Sequence, residues 1–160
     1  MIILVVDDNR QFCETLTEFL SFHGHRVQQA ADGAEALQML ARCELPQLIF
    51  LDPEVPILDG WDFLGALRRQ ETWGGIPVVI ISTLNSIAER AKEAGAVAVV
   101  RKPAHPQMLL RVIERFAGRA SARVRPTLRL AGGLRSVNII EGTPSSRVFS
   151  SRHRSPRRVS

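Results

Sequence analysis

The chain has 160 residues, of which 45% are hydrophobic and 23% charged, a composition typical of a folded globular protein rather than a disordered or fibrous one. No apolar run approaches the roughly eighteen residues that a membrane helix needs, and we do not expect the short apolar start to be a signal peptide. The net charge of +5 is unevenly distributed: residues 1–117 carry 11 Lys and Arg against 15 Asp and Glu, whereas residues 118–160 carry 10 Arg against one Glu. The basic character therefore belongs to the end of the chain.

Residues 1–117 alternate between strand and helix patterns. Continuous apolar runs, typical of strands buried on both faces, occur at residues 2–6, 48–51, 78–81 and 96–100, with a weaker, edge-like run at 26–30. Apolar residues at helical spacing lie between and after them, at 12–20, 34–41, 63–67 and 105–117, with a thinner face at 86–94. Asp59 is predicted to cap the helix that begins at Gly60. The pattern predicts an α/β fold, a doubly wound, five-stranded parallel sheet flanked by helices.

Polar residues follow these strands at the edge where the carboxyl ends of a parallel sheet meet. They are Asp7, Asp8, Asp52, Ser82, Thr83 and Lys102. Each of them alone is ordinary, as a turn residue, a helix-start hydroxyl or a solvated charge. Together, three carboxylates repel unless a cation lies among them, and oxygen ligands of this kind suit Mg²⁺. Because a lysine and a hydroxyl can bind phosphoryl oxygens while an Asp attacks phosphorus, the set predicts a site that accepts and holds a phosphoryl group.

The same segments resemble the receiver domain of two-component response regulators, the CheY-like family. The resemblance covers residues 1–117 and is carried by ILVVDDN at 3–9, LIFLDPEVPILDGWDFL at 48–64, PVVIIST at 77–83 and the turn Arg101-Lys102-Pro103. It implies a flavodoxin-like receiver fold with Asp52 as the phosphoacceptor. It also implies a catalytic set completed by Ser82, Thr83 and Lys102, a cis peptide bond between Lys102 and Pro103, and Mg²⁺ held by Asp7, Asp8, Asp52 and the backbone carbonyl of Glu54.

Four positions depart from the family pattern. Thr83 stands where the family commonly has a very small residue, which predicts restricted access to the acceptor. Val99 occupies the strand position that often carries a Tyr or Phe switch residue, so the usual coupling of hydroxyl and aromatic ring cannot operate in the same way. Glu54 adds a negative charge close to the acceptor, and Pro53 removes a backbone N–H beside it. The chemical core is expected to be intact, whereas the switch is expected to differ.

The resemblance implies a single-domain response regulator. It would take its phosphoryl group from a sensor histidine kinase or a histidine phosphotransfer protein, and signal in the cytoplasm through contact with a downstream protein. The expected contact surface is the face of the fourth helix, fifth strand and fifth helix. Such a domain phosphorylates and dephosphorylates itself and is not an enzyme that turns over a metabolite. An aspartyl phosphatase is the enzymatic alternative, but it would want D-x-D after the first strand, where this chain has Asp7-Asp8-Asn9.

Residues 118–160 are rich in Arg, Ser, Gly and Pro, and we predict a disordered basic tail. Residues 127–130 and 137–140 have the pattern of a short hairpin, but two strands alone are marginal. The alternative function is a receiver-like scaffold whose tail binds nucleic acid or another anionic partner, although no nucleic-acid-binding motif is present. Cys13 and Cys43 lie in no metal-binding spacing and are expected to be free thiols in a reducing compartment.

Overall fold

The computed structural model describes residues 1–120 and 138–140, with side chains described for residues 1–117. Strands and helices alternate along the chain in the order β1 (Ile2–Val6), α1 (Arg10–Phe22), β2 (Arg26–Ala30), α2 (Gly33–Arg42), β3 (Leu48–Leu51), α3 (Gly60–Arg69), β4 (Val78–Ser82), α4 (Ala88–Glu93), β5 (Ala98–Arg101), α5 (Pro106–Ala120) and β6 (Asn138–Ile140). All five predicted strands and all five predicted helices are present. The last helix runs three residues beyond its predicted end.

The strands form one sheet in the order β2-β1-β3-β4-β5-β6, and every neighbouring pair is parallel. The predicted doubly wound, five-stranded parallel sheet is therefore confirmed. β2 lies at one edge, where its residues are more exposed than those of β1, β3 and β4, in agreement with its weaker apolar run. The order changes direction between β1 and β3, because the chain leaves β1 toward β2 on one side and returns to β3 on the other.

Two hydrophobic clusters fill the faces of this sheet. One packs α2, α3 and α4 against it through buried side chains that include Leu40, Phe63 and Ala91. The other packs α1 and α5 against the opposite face, with Leu16, Leu20, Leu109, Val112 and Phe116 among its members. Because both faces are covered, the central strands are apolar throughout, which explains their continuous rather than alternating pattern.

Side-chain caps fix where the first three helices begin. Asn9 Oδ1 accepts the Phe12 backbone N–H at 3.0 Å at the start of α1, and Asp32 caps α2 in a similar way. At α3, Asp59 Oδ1 accepts the Asp62 N–H at 2.8 Å, which confirms the predicted cap. These caps satisfy backbone donors that the first turn of a helix leaves without partners, and so fix the entry of each helix after a strand.

A sixth strand departs from the sequence prediction. β6 pairs in parallel with β5, with Val99 opposite Ile139, so residues 138–140 extend the sheet beyond the five predicted strands. Three residues suffice here because β5 already presents a row of backbone donors and acceptors. The other half of the predicted hairpin, residues 127–130, and the rest of the predicted disordered tail lie outside the described residues. None of the helices in the described ranges has the length and hydropathy to span a membrane.

Candidate functional site

The candidate site lies at the carboxyl edge of β1 and β3, where the strand order changes direction. Open α/β sheets place their ligand sites at this point. Asp7 follows β1, and its N–H donates to Ala30 O at 3.0 Å; Asp52 follows β3, and its N–H donates to Val6 O at 2.8 Å. Backbone pairing therefore continues one residue past the strands and places the two acidic residues on neighbouring strand ends.

Lys102 joins these two carboxylates. Its Nζ donates to Asp7 Oδ2 at 2.6 Å and to Asp52 Oδ2 at 2.5 Å, although the residues are separated by 95 and 50 positions in sequence. The three side chains are poorly accessible, with relative exposures of 16% for Lys102, 2% for Asp7 and 12% for Asp52. Partly buried ion pairs are screened by solvent and salt far less than surface pairs. The attraction between Lys102 and the two carboxylates is therefore stronger than that of an exposed pair. The Lys102–Pro103 peptide bond is cis, as the resemblance implies.

The pKa values at this site reflect the balance between burial and ion pairing. Burial raises the pKa of Asp7, and the charge of Asp52 adds to this, while hydrogen bonds from Lys102 and Asn9 oppose it. Burial alone would lower the pKa of Lys102, but its hydrogen bonds to Asp52 and Asp7 outweigh that effect and hold the pKa above its ordinary value. Lys102 thus stays protonated. Its positive charge offsets the repulsion between the Asp7 and Asp52 carboxylates.

The loop after β3 holds the Asp52 carboxylate in a fixed orientation. Its Oδ1 accepts the Glu54 backbone N–H at 2.8 Å, while Oδ2 faces Lys102. Pro53, predicted to matter because it lacks an N–H, is buried, and its carbonyl accepts the Gly60 N–H at 3.1 Å. A Cβ at Gly60 would lie 2.5 Å from Asp52 O and 2.6 Å from Pro53 Cα, so only glycine allows this approach of α3 to the loop. The Glu54 side chain is exposed.

The two predicted hydroxyl residues have different environments. Ser82, the last residue of β4, is 1% exposed, and its Oγ accepts the Leu84 N–H at 3.1 Å. Thr83 is exposed. The Lys102 N–H donates to Ser82 O at 2.8 Å, which ties the end of β4 to the turn that carries the lysine. Ser82 is therefore the buried hydroxyl residue whose backbone is bonded to Lys102, while Thr83 is exposed at the start of the β4–α4 loop.

The residues predicted to hold Mg²⁺ are Asp7, Asp8, Asp52 and Glu54, the last through its backbone carbonyl. Asp8 is exposed, and its carboxylate forms no ion pair with any described residue. Within the described ranges, no three acidic, His or Cys side chains already stand close enough together to ligate one ion. The donors nevertheless fit Mg²⁺. Asp7 and Asp52 already pair with one cation, the Lys102 ammonium group, and carboxylate and carbonyl oxygens are the ligands that Mg²⁺ prefers.

The position of the family's aromatic switch residue is occupied by Val99, the last-strand residue that the sequence analysis singled out. Val99 is 7% exposed and packs in the cluster with α2, α3 and α4, so an aliphatic side chain fills the position where an aromatic one was expected by family pattern. Trp61, at the start of α3, is half-buried against the same cluster, and the Arg90 guanidinium of α4 lies 4.3 Å from its ring. Trp73 is also half-buried there. Packing is thus the first role of both tryptophans.

Sequence patterns did not reveal every residue of the site. Phe12 belongs to the apolar stripe of α1, yet its ring centroid lies 4.6 Å from Lys102 Nζ. Gly60 was predicted only as the start of a helix, but it is the position where α3 touches the loop after β3. Cys13, a free thiol as predicted, lies beneath Asp7, and burial, followed by the Asp7 charge, raises its pKa to about 11. Burial therefore disfavours the thiolate, the form in which a cysteine acts as a nucleophile.

Comparison with known proteins identifies the family. The family model described as the response regulator receiver domain matches residues 3–114. This chain belongs to that family. Response regulator MprA of Mycobacterium leprae is 39% identical over 131 residues, which cover 81% of this chain and 51% of that protein. Response regulator MprA of Mycobacterium tuberculosis is 40% identical over 103 residues, which cover 63% of this chain and 44% of that protein. The chain thus spans about half the length of the curated relatives it matches.

Solved structures give the same result for the fold. The chemotaxis response regulator CheY4 of Vibrio cholerae superposes with a TM-score of 0.67 at 29% identity, over 72% of this chain and 97% of that one. The receiver domain of NtrX from Brucella abortus superposes with a TM-score of 0.65 at 34% identity, over 72% of this chain and 98% of that one. The chain is therefore a two-component receiver domain, and the resemblance found in its sequence is confirmed.

Proposed function

We propose that the receiver domain of this protein takes a phosphoryl group onto Asp52 and signals through phosphorylation-dependent protein contacts. One observation carries the proposal: Lys102 Nζ lies within hydrogen-bond distance of both Asp7 and Asp52 at the carboxyl edge of the sheet. The cation that a phosphoryl group needs is already in place beside the carboxylate that would receive it. Family membership supports this assignment of roles, since Asp52, Lys102 and Ser82 all lie within the residues that the family model matches.

In the proposed reaction, a carboxylate oxygen of Asp52 attacks the phosphorus of a phosphohistidine on a histidine kinase or phosphotransfer partner. A P–O bond forms while the P–N bond breaks, and the imidazole leaves with the electron pair of that bond. Lys102 neutralises charge on the phosphoryl oxygens, and the Ser82 hydroxyl can donate a hydrogen bond to one of them. Water later cleaves the acyl phosphate and restores Asp52, so the domain resets itself without acting on a metabolite.

We propose that Asp7, Asp8, Asp52 and the Glu54 backbone carbonyl hold Mg²⁺ for this reaction. When bound, the ion supplies positive charge to the phosphoryl oxygens. Asp7 is the residue best prepared for this, because it is buried and its second oxygen is already fixed by the Asn9 N–H at 2.9 Å. Lys102 would then give up its contact with Asp7 and keep its place beside Asp52.

The proposed output is a protein contact in the cytoplasm, where the buried and exposed thiols Cys13 and Cys43 would remain reduced. The proposed surface is the face of α4, β5 and α5, which adjoins the site through the Ser82–Lys102 backbone bond. Binding of an anionic partner by the basic tail stays a prediction, because residues 121–137 and 141–160 lie outside the described part of the chain.

The proposal is tested by incubating the full chain with a small-molecule phosphodonor and Mg²⁺ and resolving the products on a phosphate-affinity gel. Wild type should gain one acid-labile phosphate, and Asp52→Asn should gain none. Asp59→Asn is the matched control, because this exposed helix cap lies seven residues away and takes no part in the ion pairs; it should be phosphorylated like wild type. Failure of the wild type to label, or equal labelling of Asp52→Asn, contradicts the proposal.

A further inference from the structure

The ammonium group of Lys102 has a third neighbour besides its two carboxylates. The Phe12 ring, in the first turn of α1, lies with its centroid 4.6 Å from Nζ. A cation over an aromatic face at this distance is attracted by the negative charge that the ring presents there, and the attraction grows when water is partly excluded. Because Lys102 is only 16% exposed, the ring replaces water on a side of the ammonium that the carboxylates leave free.

Hydrogen bonds of the site itself set the position of Phe12. The Asn9 N–H donates to Asp7 Oδ1 at 2.9 Å, and Asn9 Oδ1 in turn accepts the Phe12 N–H at 3.0 Å. Asp7 Oδ2 then accepts from Lys102, whose ammonium lies over the Phe12 ring. These contacts link four residues, Asp7, Asn9, Phe12 and Lys102, in a closed chain. A shift of Asp7 or Lys102 would therefore change the contact between the ammonium group and the Phe12 ring.

We propose that Phe12 is a positioning residue that holds the Lys102 ammonium beside Asp52. A lysine side chain is a flexible stem that ends in a strongly hydrated point charge, and it needs contacts to define where that charge lies. Phe12 supplies one without an acceptor oxygen, so it attracts the ammonium and does not compete for its hydrogen bonds. The ammonium can then turn toward a phosphoryl group on Asp52 while it keeps the ring contact. This inference rests on the proposed role of Asp52 and Lys102.

The direct test uses the fact that the chain has only two lysines, Lys92 and Lys102. In full-length protein with ¹³C-labelled lysine, the side-chain methylene protons nearest each ammonium give separate signals, and exposed Lys92 is the internal reference. We expect the Lys102 signals to lie upfield of the Lys92 signals because of the ring current of Phe12. Phe12→Leu keeps an apolar side chain and should abolish the difference, whereas Phe12→Tyr should restore it. Coincident signals in wild type, or a difference that survives in Phe12→Leu, would overturn the inference.

The second arm measures the rate of labelling by a small-molecule phosphodonor. Phe12→Leu should slow labelling roughly two- to five-fold, the size expected for a partly exposed cation–π contact, and Phe12→Tyr should return it to near the wild-type rate. A role in packing alone predicts that Leu is tolerated and that Tyr gives no rescue. If wild type shows the upfield Lys102 signals but gains no phosphate, the proposed function fails and the placement of the ammonium by Phe12 stands.

Discussion

Two regions of this receiver domain are held together in different ways. One is the acceptor edge, formed by Asp7, Asp52 and Lys102 at the carboxyl ends of the strands, and the other is the α4 side. At the acceptor edge, ion pairs join residues far apart in sequence, since Lys102 contacts both Asp7 and Asp52. On the α4 side, which comprises α4 and the loops on either side of it, the helix has only six residues, no side-chain cap at Ile87, and one buried residue, Ala91. Ion pairs thus fix the residues of the acceptor edge, whereas α4 is held by limited packing. We therefore expect α4 to move more easily than the acceptor edge.

Contacts from α3 connect the two regions. Trp61, two residues after the Asp59 cap, lies against Arg90 of α4. Farther along the same helix, Arg68 donates to Gly95 O at 2.9 Å in the loop that follows α4. Val99 offers no ring or hydroxyl of its own on β5. The difference between the regions shows that this receiver domain keeps the ion-paired residues at the carboxyl edge of the sheet while an aliphatic residue, Val99, occupies the switch position.

The largest effect is expected where α3 touches the acceptor loop. Gly60→Ala places a methyl group 2.5 Å from Asp52 O and 2.6 Å from Pro53 Cα, and neither backbone atom can yield without moving the acceptor. We expect a loss of about 2 to 3 kcal/mol in the free energy of unfolding, measured by urea denaturation, and slower labelling of Asp52.

Gly65→Ala is the control for this substitution in the same helix. Its methyl group would meet only Arg69 Nη1 at 3.6 Å, so it should stabilise the protein by up to about 1 kcal/mol, because alanine favours the helix. Equal losses of stability in Gly60→Ala and Gly65→Ala would contradict a specific role for the contact between α3 and the loop after β3.

The next effect concerns Arg68, which fixes the loop after α4. Its guanidinium donates to the carbonyls of Gly74, Ile76 and Gly95, and burial lowers its pKa. Arg68→Ala leaves these acceptors without their donor, and we expect a loss of about 2 kcal/mol. Arg69→Ala, at the exposed next position, should change stability by less than about 0.5 kcal/mol. Urea denaturation of both variants compares them, and indistinguishable midpoints would contradict the structural role of Arg68.

The smallest effect is a pH dependence at Asp7. Its raised pKa means that the folded state binds this proton more tightly than the unfolded chain, so the group favours folding at low pH and loses that contribution as pH rises through the folded pKa. Asp7→Asn should therefore gain stability relative to wild type as the pH rises above the ordinary pKa of an aspartate, as measured by urea denaturation at a series of pH values. Asp8→Asn removes an exposed carboxylate at the next position and is the matched control. A gain of the same size in both variants would contradict the burial effect.

Much of the acceptor edge could be predicted from the sequence, because it depends on short-range rules. Apolar runs locate the strands, and parallel strands bring the residues that follow them to one edge, which is enough to place Asp7, Asp52 and Lys102 together. The Asp59 cap depends on local hydrogen bonding and was predicted for the same reason. The resemblance to the receiver family then suggested the role that we propose for each residue.

The remaining features depend on tertiary contacts that spacing does not encode. Phe12 fits an ordinary core stripe, and its contact with a lysine 90 positions away exists only in the folded chain. Arg68 has the pattern of a basic residue in the last turn of a helix, yet three backbone carbonyls from two loops surround it. Ile57 adopts φ of 64°, a conformation that a β-branched residue rarely takes and that no propensity would suggest.

The central claim is that Asp52 receives the phosphoryl group, and chemical mapping of the acyl phosphate tests it most directly. After labelling with a small-molecule phosphodonor and Mg²⁺, borohydride reduces an aspartyl phosphate to homoserine, which peptide mass spectrometry locates. We predict homoserine at position 52 in wild type. The yield of homoserine should be much lower when Lys102 is replaced by methionine. Homoserine at Asp7, Asp8 or Asp59, or at no position of the labelled protein, would contradict the assignment.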